Sequence, residues 1–186
     1  VHESILQLWA EILRSVGGSR LLLQSPPGAT QARVRHCFEE QGIEAHRLEF
    51  VSRTATRAEF LQRFDRIDLA LETSPYNGGT TTCEALWMGV PVPSFPGPTA
   101  ISRLGLSILS SVGLPELVAK SREDYVPLMV SLASDLPRLA ALRSTLRQRM
   151  KSSAFMDGPR FARNVEQEYR RMWRDWCAKQ TSPSRP

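Results

Sequence analysis

Residues 68–89 read DLALETSPYNGGTTTCEALWMG and contain the transition on which our fold prediction rests. The apolar run 68–72 is short, which predicts a buried strand. Turn-forming residues fill 73–82, and a threonine at the end of this run can cap a helix that ends at Gly89. Glu84 is expected in the first turn of that helix. The stretch therefore predicts a strand, a polar glycine loop and a helix, in that order.

The chain before the loop alternates between helix and strand. Apolar residues recur at helical spacing over 5–16, 30–41 and 57–66, and short apolar runs between turn residues predict strands at 20–24 and 46–51. Repeated alternation of this kind implies a parallel sheet with right-handed crossovers. The predicted fold class is α/β, with a Rossmann-like parallel sheet flanked by helices.

The chain after the loop is predominantly helical. Residues 90–95 are a candidate strand or edge strand, weakened by two prolines that cannot donate to a ladder. Helices are predicted over 100–112, 121–132, 136–151 and 159–178, with a short capped piece at 114–118. We expect one domain with one core over residues 1–180, ending in a helical carboxy-terminal extension, and a disordered tail over 181–186.

Composition excludes several classes of protein. With 41% hydrophobic and 23% charged residues, the 186-residue chain is typical of globular domains, and no apolar run approaches the ~20 residues of a membrane span. The start, Val-His-Glu-Ser, lacks a signal peptide and is interpreted as a domain boundary. Cys37, Cys83 and Cys177 fit neither a disulfide framework nor a zinc site, so reduced thiols and a cytoplasmic location are expected.

The net charge of +5 suits an anionic ligand, although it is also common in domains that bind no polyanion. Basic patches interleaved with aromatic residues are not evident, so no nucleic-acid partner is expected. Five basic residues between 138 and 151 predict either a solvated outer face or a contact with another part of a larger protein.

The glycine loop follows a predicted strand, and ligands of open parallel sheets bind at the carboxyl ends of strands. Gly78 and Gly79 would let the backbone approach a ligand closely, while Thr80 and Thr81 would add hydroxyl donors to the amides of a helix N-terminus. Such neutral donors match a diphosphate, and Glu84 could accept from a ribose hydroxyl. The alternative is an ordinary turn.

Residues 75–91, PYNGGTTTCEALWMGVP, resemble the donor-binding signature of the O-linked N-acetylglucosamine transferase and SPINDLY family. The resemblance continues through LQLWAEIL at 6–13, Ser102-Arg103 and YRRMW at 169–173, and so covers nearly the whole chain. It implies a two-lobed GT-B enzyme of which this chain is the carboxy-terminal, nucleotide-sugar-binding lobe. An amino-terminal catalytic lobe and helical repeats of the same parent protein would then handle the protein acceptor.

The resemblance also implies roles for single residues. The paired threonines at the donor phosphates fall on Thr80 and Thr81 within the loop that begins at Asn77, and the ribose-binding carboxylate falls on Glu84. The basic phosphate contact, in the helix before the loop, falls near Arg57, whose guanidinium matches phosphate oxygens. Arg63 shares the polar side of the helix that contains Arg57.

Other positions remain open. Arg103 either meets a phosphate or is a plain surface charge. Gly79 and Phe60 stand where the animal members of the family carry histidines, so the donor sugar is not fixed. Tyr76 either stacks on the base or packs the loop, with packing favoured. Tryptophans share helix faces with other apolar residues and are predicted to lie in the core; they are Trp9, Trp87, Trp173 and Trp176.

The implied reaction is inverting transfer of a sugar from a nucleoside diphosphate to Ser or Thr of proteins, with UDP-N-acetylglucosamine as the leading donor. GDP-fucose is the alternative donor, and a nucleotide-binding module inactive on its own is the alternative function. No Asp-x-Asp metal motif occurs, so metal-independent catalysis without a cofactor is expected. Residues 25–28, SPPG, are not a dinucleotide fingerprint. No catalytic base is identified among His2, His36 and His46, and the acceptor-activating group is expected on the other lobe.

Overall fold

The structure of the chain is a computed structural model that describes residues 2–181. Two parallel strands and eight α-helices follow one another along these residues. Their bounds are α1 Glu3–Ser15, β1 Leu21–Gln24, α2 Ala29–Glu40, β2 Leu48–Val51, α3 Arg57–Gln62, α4 Thr80–Trp87, α5 Leu104–Val112, α6 Arg122–Ser134, α7 Leu136–Lys151 and α8 Gly158–Thr181. Short 3-10 turns lie at Ala45–Arg47, Arg63–Arg66, Ile101–Arg103, Pro115–Leu117 and Ala154–Met156.

The sheet is parallel, as predicted, and its register runs from Leu21 opposite Leu48 to Gln24 opposite Val51. Helix α2 connects the two strands, which makes this part a βαβ unit. The second strand is shorter than the prediction of 46–51, because Ala45–Arg47 forms a 3-10 turn. The pairing continues by one bond beyond the strands, from the Ser25 N–H to the Val51 carbonyl. The carboxyl ends of both strands therefore open toward the same edge.

Two predicted strands are not formed. Residues 68–72 and 90–95 lie next to each other through a bond of 2.9 Å from the Ala70 N–H to the Pro91 carbonyl, but no continuous ladder joins them. Prolines at 91 and 93 remove hydrogen-bond donors from the second segment, as predicted. In the first segment, the Glu72 N–H donates to the Tyr125 hydroxyl rather than to a neighbouring strand. Ser94 forms only an isolated parallel bridge with Val118.

The helical predictions are confirmed with small shifts of their ends. Helix α1 is amphipathic and buries its apolar face against α2 and α6. The predicted helix 57–66 ends in a 3-10 turn from Arg63 onward, and the predicted helix 100–112 begins with one. Gly113 ends α5 in the left-handed conformation, with φ of 77°, that a glycine adopts without steric cost. Helix α8 extends to Thr181, and the rest of the predicted tail, 182–186, lies outside the described residues.

Buried apolar side chains form two clusters rather than a single one. One cluster centres on α1, α2 and the strands, and the other on α4, α5 and α7. Leu69 and Leu128 pack against both clusters and join them. The segment that precedes the glycine loop is therefore held between the two halves of the core.

The basic residues of helix α7 bond to other segments of the same lobe. Arg143 donates through Nη1 to the carbonyls of Ile67 and Asp68, and Arg147 donates through Nε to the Trp87 carbonyl at 2.7 Å. Arg149 forms an ion pair of 3.2 Å with Glu116. Lys151 lies over the Trp87 ring, with Nζ 5.6 Å from its centroid. Four of the five basic residues thus hold α7 against its neighbours, a role that neither prediction for them included.

Helix α8 differs from the other helices because nearly all of its side chains are exposed. The prediction that Trp173 and Trp176 lie in the core is wrong: they are 63% and 53% exposed and stack on each other with ring centroids 5.2 Å apart. Trp9 is buried and Trp87 half-buried, as predicted. Among the helices of residues 2–181, none is both long and apolar enough to cross a membrane.

Candidate functional site

The glycine loop, residues 73–79, is folded by its own polar groups. The Thr73 hydroxyl donates to the Tyr76 carbonyl at 2.6 Å, and the Asn77 side-chain amide donates to the Thr73 carbonyl at 2.8 Å. The Asn77 N–H reaches the carbonyl of Ile101 at 3.2 Å, which ties the loop to the turn before α5. Asn77 is buried, so it shapes the loop from inside and is not exposed to solvent. The structure thus gives Asn77 a supporting place beneath the predicted site.

The loop leads directly into the amino end of α4. Gly79, not a threonine, is the residue before the helix, and within the described residues no side chain caps it. The prediction of a threonine cap is therefore wrong. Thr80 and Thr81 form the first turn, where backbone amides have no intrahelical acceptor, and both residues are exposed. This end of α4 offers unpaired amides and two hydroxyls to an anion.

Gly78 and Gly79 are not equivalent. A Cβ on Gly78 would lie 2.5 Å from Thr82 Oγ1 and 3.0 Å from Thr81 Oγ1, so a side chain there would displace the first turn of α4. A Cβ on Gly79 would meet nothing closer than a Leu104 carbon at 4.0 Å. Only Gly78 is required by packing, whereas the space beside Gly79 is open.

Arg57 and Glu84 face each other beside this loop. Their ion pair joins Nη2 to Oε1 at 2.9 Å, with the arginine side chain 73% exposed and the glutamate side chain 13% exposed. Arg57 is the first residue of α3, whose start is fixed by the Thr56 hydroxyl and by a bond from Ala55 N–H to the Glu59 carboxylate. Glu84 lies in the second turn of α4, not in the first as predicted, because the helix begins at Thr80.

An open cavity of about 330 Å³ surrounds this pair. Its walls combine charged, hydroxyl and aromatic groups; they are Gln24, Arg53, Thr54, Ala55, Thr56, Arg57, Phe60 and Glu84. Phe60 is half-buried and packs edge-on against Phe64 with ring centroids 5.5 Å apart. The cavity lies at the carboxyl end of β1, where a ligand of a parallel sheet is expected.

The remaining predicted residues lie around the cavity and the loop. Arg63 donates to Gln24 Oε1 at 3.0 Å and to the Ser52 carbonyl, so its guanidinium holds the cavity wall. Arg103 is exposed and lies two residues after Ile101, whose carbonyl accepts from the Asn77 N–H. Tyr76 is 64% exposed, so the prediction that its ring packs the loop is wrong.

Sequence reasoning missed a buried polar cluster beneath the loop. Glu72 is 2% exposed, and its carboxylate accepts from the Thr73 and Gly78 amides and from the Ser94 hydroxyl, each at 2.9 Å. Burial raises the pKa of the Glu72 carboxyl, against the lowering effect of these hydrogen bonds. A charged residue at the end of an otherwise apolar run was the signal that could have revealed it.

Two further side chains near the site have raised pKa values. Burial raises the pKa of the Tyr125 phenol above its ordinary range, so the hydroxyl that accepts from the Glu72 N–H stays protonated. Burial, with a smaller contribution from Glu84, raises the pKa of the Cys83 thiol. Across residues 2–181, His, Cys, Asp and Glu side chains do not gather in any group of three that could hold a metal ion.

The fold and the loop together define a Rossmann-like lobe of the glycosyltransferase class. The family model described as Glycosyl transferase family 41 matches residues 1–165, and the chain belongs to that family. The family resemblance and the α/β fold class drawn from the sequence are thereby confirmed.

Curated relatives and a solved structure agree with this assignment. The probable UDP-N-acetylglucosamine–peptide N-acetylglucosaminyltransferase SPINDLY of Eustoma exaltatum subsp. russellianum is 42% identical over 95% of this chain, and this alignment covers 20% of that protein. The UDP-N-acetylglucosamine–peptide N-acetylglucosaminyltransferase of Caenorhabditis elegans is 33% identical over 94% of the chain, covering 15% of that protein. The chain thus spans about a fifth of the length of the curated relatives it matches, or less.

The structure of a mutant O-GlcNAc transferase from Thermobaculum terrenum superposes with a TM-score of 0.88 at 39% identity. The match covers 96% of this chain and 35% of that chain. The lobe described here therefore corresponds to one part of a larger glycosyltransferase fold.

Proposed function

We propose that the chain is the donor-binding, carboxy-terminal half of a protein O-glycosyltransferase that moves N-acetylglucosamine from UDP-N-acetylglucosamine to Ser or Thr of proteins. One observation carries this proposal: the Arg57–Glu84 pair lines an open cavity at the carboxyl end of β1, and Glu84 belongs to the same helix whose uncapped first turn carries Thr80 and Thr81. The names of the relatives favour UDP-N-acetylglucosamine as the donor.

The arrangement provides separate groups for the parts of a nucleoside diphosphate. The amides and hydroxyls of the first turn of α4 would bind the diphosphate, together with the Arg57 guanidinium. Glu84 would accept from the ribose hydroxyls once Arg57 turns away from it. Phe60 lines the cavity and would offer an apolar ring to the base, and the open space beside Gly79 would leave room for the sugar.

These groups would act most strongly when the bond to the sugar breaks. Negative charge grows on the departing diphosphate in the transition state, and fixed hydrogen-bond donors stabilise that charge. Inverting transfer requires the acceptor hydroxyl to attack from the face opposite the diphosphate. The group that activates the hydroxyl would belong to the amino-terminal lobe of the parent protein, and the described residues supply the leaving-group side alone.

Metal-independent catalysis is part of the proposal, because the Arg57 guanidinium and the α4 amides can supply the positive potential that a cation supplies elsewhere. Arg103 and Arg63 would contribute from the rim, Arg63 through Gln24. We also propose a cytoplasmic location, which suits the free thiols of Cys37 and Cys83.

The exposed face of α8 supports the proposal that a larger protein completes the enzyme. Large apolar side chains on this helix are more than half exposed; they are Phe161, Tyr169, Met172, Trp173 and Trp176. A helix with this much exposed apolar surface is typical of an interface. The proposed partner is the amino-terminal lobe of the same parent protein, and the chain without it would bind nucleotide but not transfer sugar.

Transfer to a Ser/Thr peptide by the parent protein, followed by mass spectrometry, tests this function. We expect the peptide to gain the mass of N-acetylglucosamine with UDP-N-acetylglucosamine, and Thr80→Ala with Thr81→Ala to reduce transfer. Transfer of fucose from GDP-fucose instead would establish the alternative donor. Transfer of neither sugar by a folded parent protein would contradict the proposal.

A further inference from the structure

Glu72 occupies the centre of a polar cluster that connects the core to the glycine loop. Its backbone carbonyl accepts from Trp9 Nε1 of α1 at 3.2 Å, and its N–H donates to the Tyr125 hydroxyl of α6 at 2.9 Å. Both partners are buried in the first hydrophobic cluster. The backbone of Glu72 is thus fixed from two helices before its side chain makes any contact.

The Glu72 carboxylate spans the glycine loop from beneath. Oε1 accepts from the N–H of Thr73, where the loop begins, and from the N–H of Gly78, next to its end, while Oε2 accepts from the Ser94 hydroxyl. Oε1 therefore joins the two ends of the loop through hydrogen bonds. Since Gly79 alone separates Gly78 from α4, this bond sets the position of the first turn of that helix.

Helix α5 leaves space for this carboxylate. A Cβ on Gly105 would lie 2.7 Å from Glu72 Oε2 and 2.1 Å from Ser94 Oγ, closer than real Cβ atoms approach other atoms. No residue larger than glycine fits there without moving the cluster. Burying a carboxylate costs free energy, and three hydrogen-bond donors offset part of that cost here. The glycine at position 105 therefore leaves room for the Glu72 carboxylate to accept hydrogen bonds from the loop amides.

We propose that Glu72 is a positioning residue for the donor diphosphate: through Gly78 it holds the loop so that the outward amides and hydroxyls of Thr80 and Thr81 meet the phosphates. This role rests on the proposed donor site. Glu72 holds the Gly78 N–H inward, whereas Thr80 and Thr81, the first two residues of α4, are exposed. It does not touch the ligand, and its effect passes through the loop.

The test is calorimetric titration of the 186-residue chain and its variants with UDP. Glu72→Ala removes the acceptor of Gly78, and we expect the dissociation constant to rise at least 10-fold. Glu72→Gln keeps one oxygen for both amides and a donor for Ser94, so it should restore the affinity to within 3-fold of the original chain. Glu72→Met, which keeps the volume without the oxygen, replaces Glu72→Ala if that variant does not fold.

Tyr125→Phe is the matched control: it breaks the bond to the Glu72 N–H, while the Trp9 bond still holds the Glu72 carbonyl and the carboxylate still accepts from Gly78. It should lower the melting temperature without changing the affinity for UDP more than 3-fold. Hydrogen exchange of the Gly78 amide should accelerate in Glu72→Ala and not in Tyr125→Phe.

Each outcome decides the proposal. Equal losses of affinity in Glu72→Ala and Tyr125→Phe would show a merely structural role and overturn it, as would unchanged affinity in a folded Glu72→Ala whose Gly78 amide exchanges faster. If the original chain itself does not bind UDP, the proposed donor site fails, and the positioning role fails with it. Affinity lost in Glu72→Ala alone and restored in Glu72→Gln supports the proposal.

Discussion

Arg57 and Glu84, two residues proposed to bind different parts of the donor, bind each other in the structure, with Nη2 and Oε1 2.9 Å apart. The arginine side chain is 73% exposed, so the pair contributes little to stability and can open at small cost. The pair keeps each charged group balanced at the cavity while leaving both within reach of a ligand. Donor binding would exchange this pair for a phosphate and a ribose.

The first prediction separates the roles of the two residues. Arg57→Ala should weaken UDP binding by roughly 10- to 100-fold, since a charge-assisted hydrogen bond to phosphate is lost, and should weaken the binding of inorganic pyrophosphate by a similar factor. Glu84→Ala should weaken the binding of UDP but not that of pyrophosphate, because pyrophosphate has no ribose. Competition titrations with both ligands measure this. Equal losses for pyrophosphate in the two variants would contradict the assignment of Glu84 to ribose.

The second prediction concerns the first turn of α4. Replacing Thr80 and Thr81 together by alanine removes two hydroxyl donors worth about 1 kcal/mol each, so UDP affinity should fall roughly 5- to 30-fold. The backbone amides remain, and some binding should therefore persist. Thr30→Ala, at an exposed position of α2, is the control and should bind UDP unchanged. A folded double variant with full affinity would remove these residues from the site.

The third prediction compares adjacent glycines. Gly78→Ala places a Cβ 2.5 Å from Thr82 Oγ1 and should disturb the loop, with loss of UDP affinity and of stability. Gly79→Ala meets open space and should fold as the original chain does. Thermal unfolding and UDP titration of both variants make the comparison. If Gly79→Ala is the more damaging variant, the described loop geometry is wrong.

The fourth prediction follows from the raised pKa of Glu72. The folded chain retains the proton to higher pH than the unfolded chain, so the protonated group stabilises the fold at low pH. That stability is lost as pH rises from about 4.3, the ordinary value, through the raised pKa of the folded state. The glutamine of Glu72→Gln cannot ionise, so the free energy of unfolding of this variant should rise relative to that of the original chain as pH increases through this window. At higher pH the difference between the two should stay constant.

Urea unfolding of both chains at a series of pH values measures the effect on the free energy of unfolding. Parallel pH profiles for Glu72→Gln and the original chain would contradict the fourth prediction. Tyr125→Phe serves as the reference, because it leaves the carboxyl in place. It should be less stable by about 1 to 3 kcal/mol at every pH, since the buried Glu72 N–H loses its acceptor.

The sequence predicted those elements whose determinants are local. Helix α1 carries its apolar residues at helical spacing, and Gly113 ends α5 with the expected left-handed turn. The glycine loop and Glu84 were predicted as site residues from their residue types, and Glu84 lines the cavity in the structure. The pairing of Arg57 with Glu84 brings together residues on different helices, and no local pattern announces that contact.

The errors have physical causes in tertiary structure. Residues 68–72 have the composition of a strand, yet the Glu72 N–H finds the Tyr125 hydroxyl, 53 positions away in the chain, instead of a ladder partner. Trp173 and Trp176 share a helix face that predicts burial, but nothing in the described lobe covers it. Apolar residues at helical spacing predict that a helix face is buried. They do not distinguish burial within the same domain from burial against another domain.

Calorimetric titration of the chain with UDP and, separately, with GDP tests the central claim most directly. We predict that UDP binds, that GDP binds more weakly, and that Arg57→Ala reduces the UDP affinity. A preference for GDP would contradict the proposed donor and favour the fucose alternative. Binding of neither nucleotide by the folded chain would contradict the claim that these residues form a donor site.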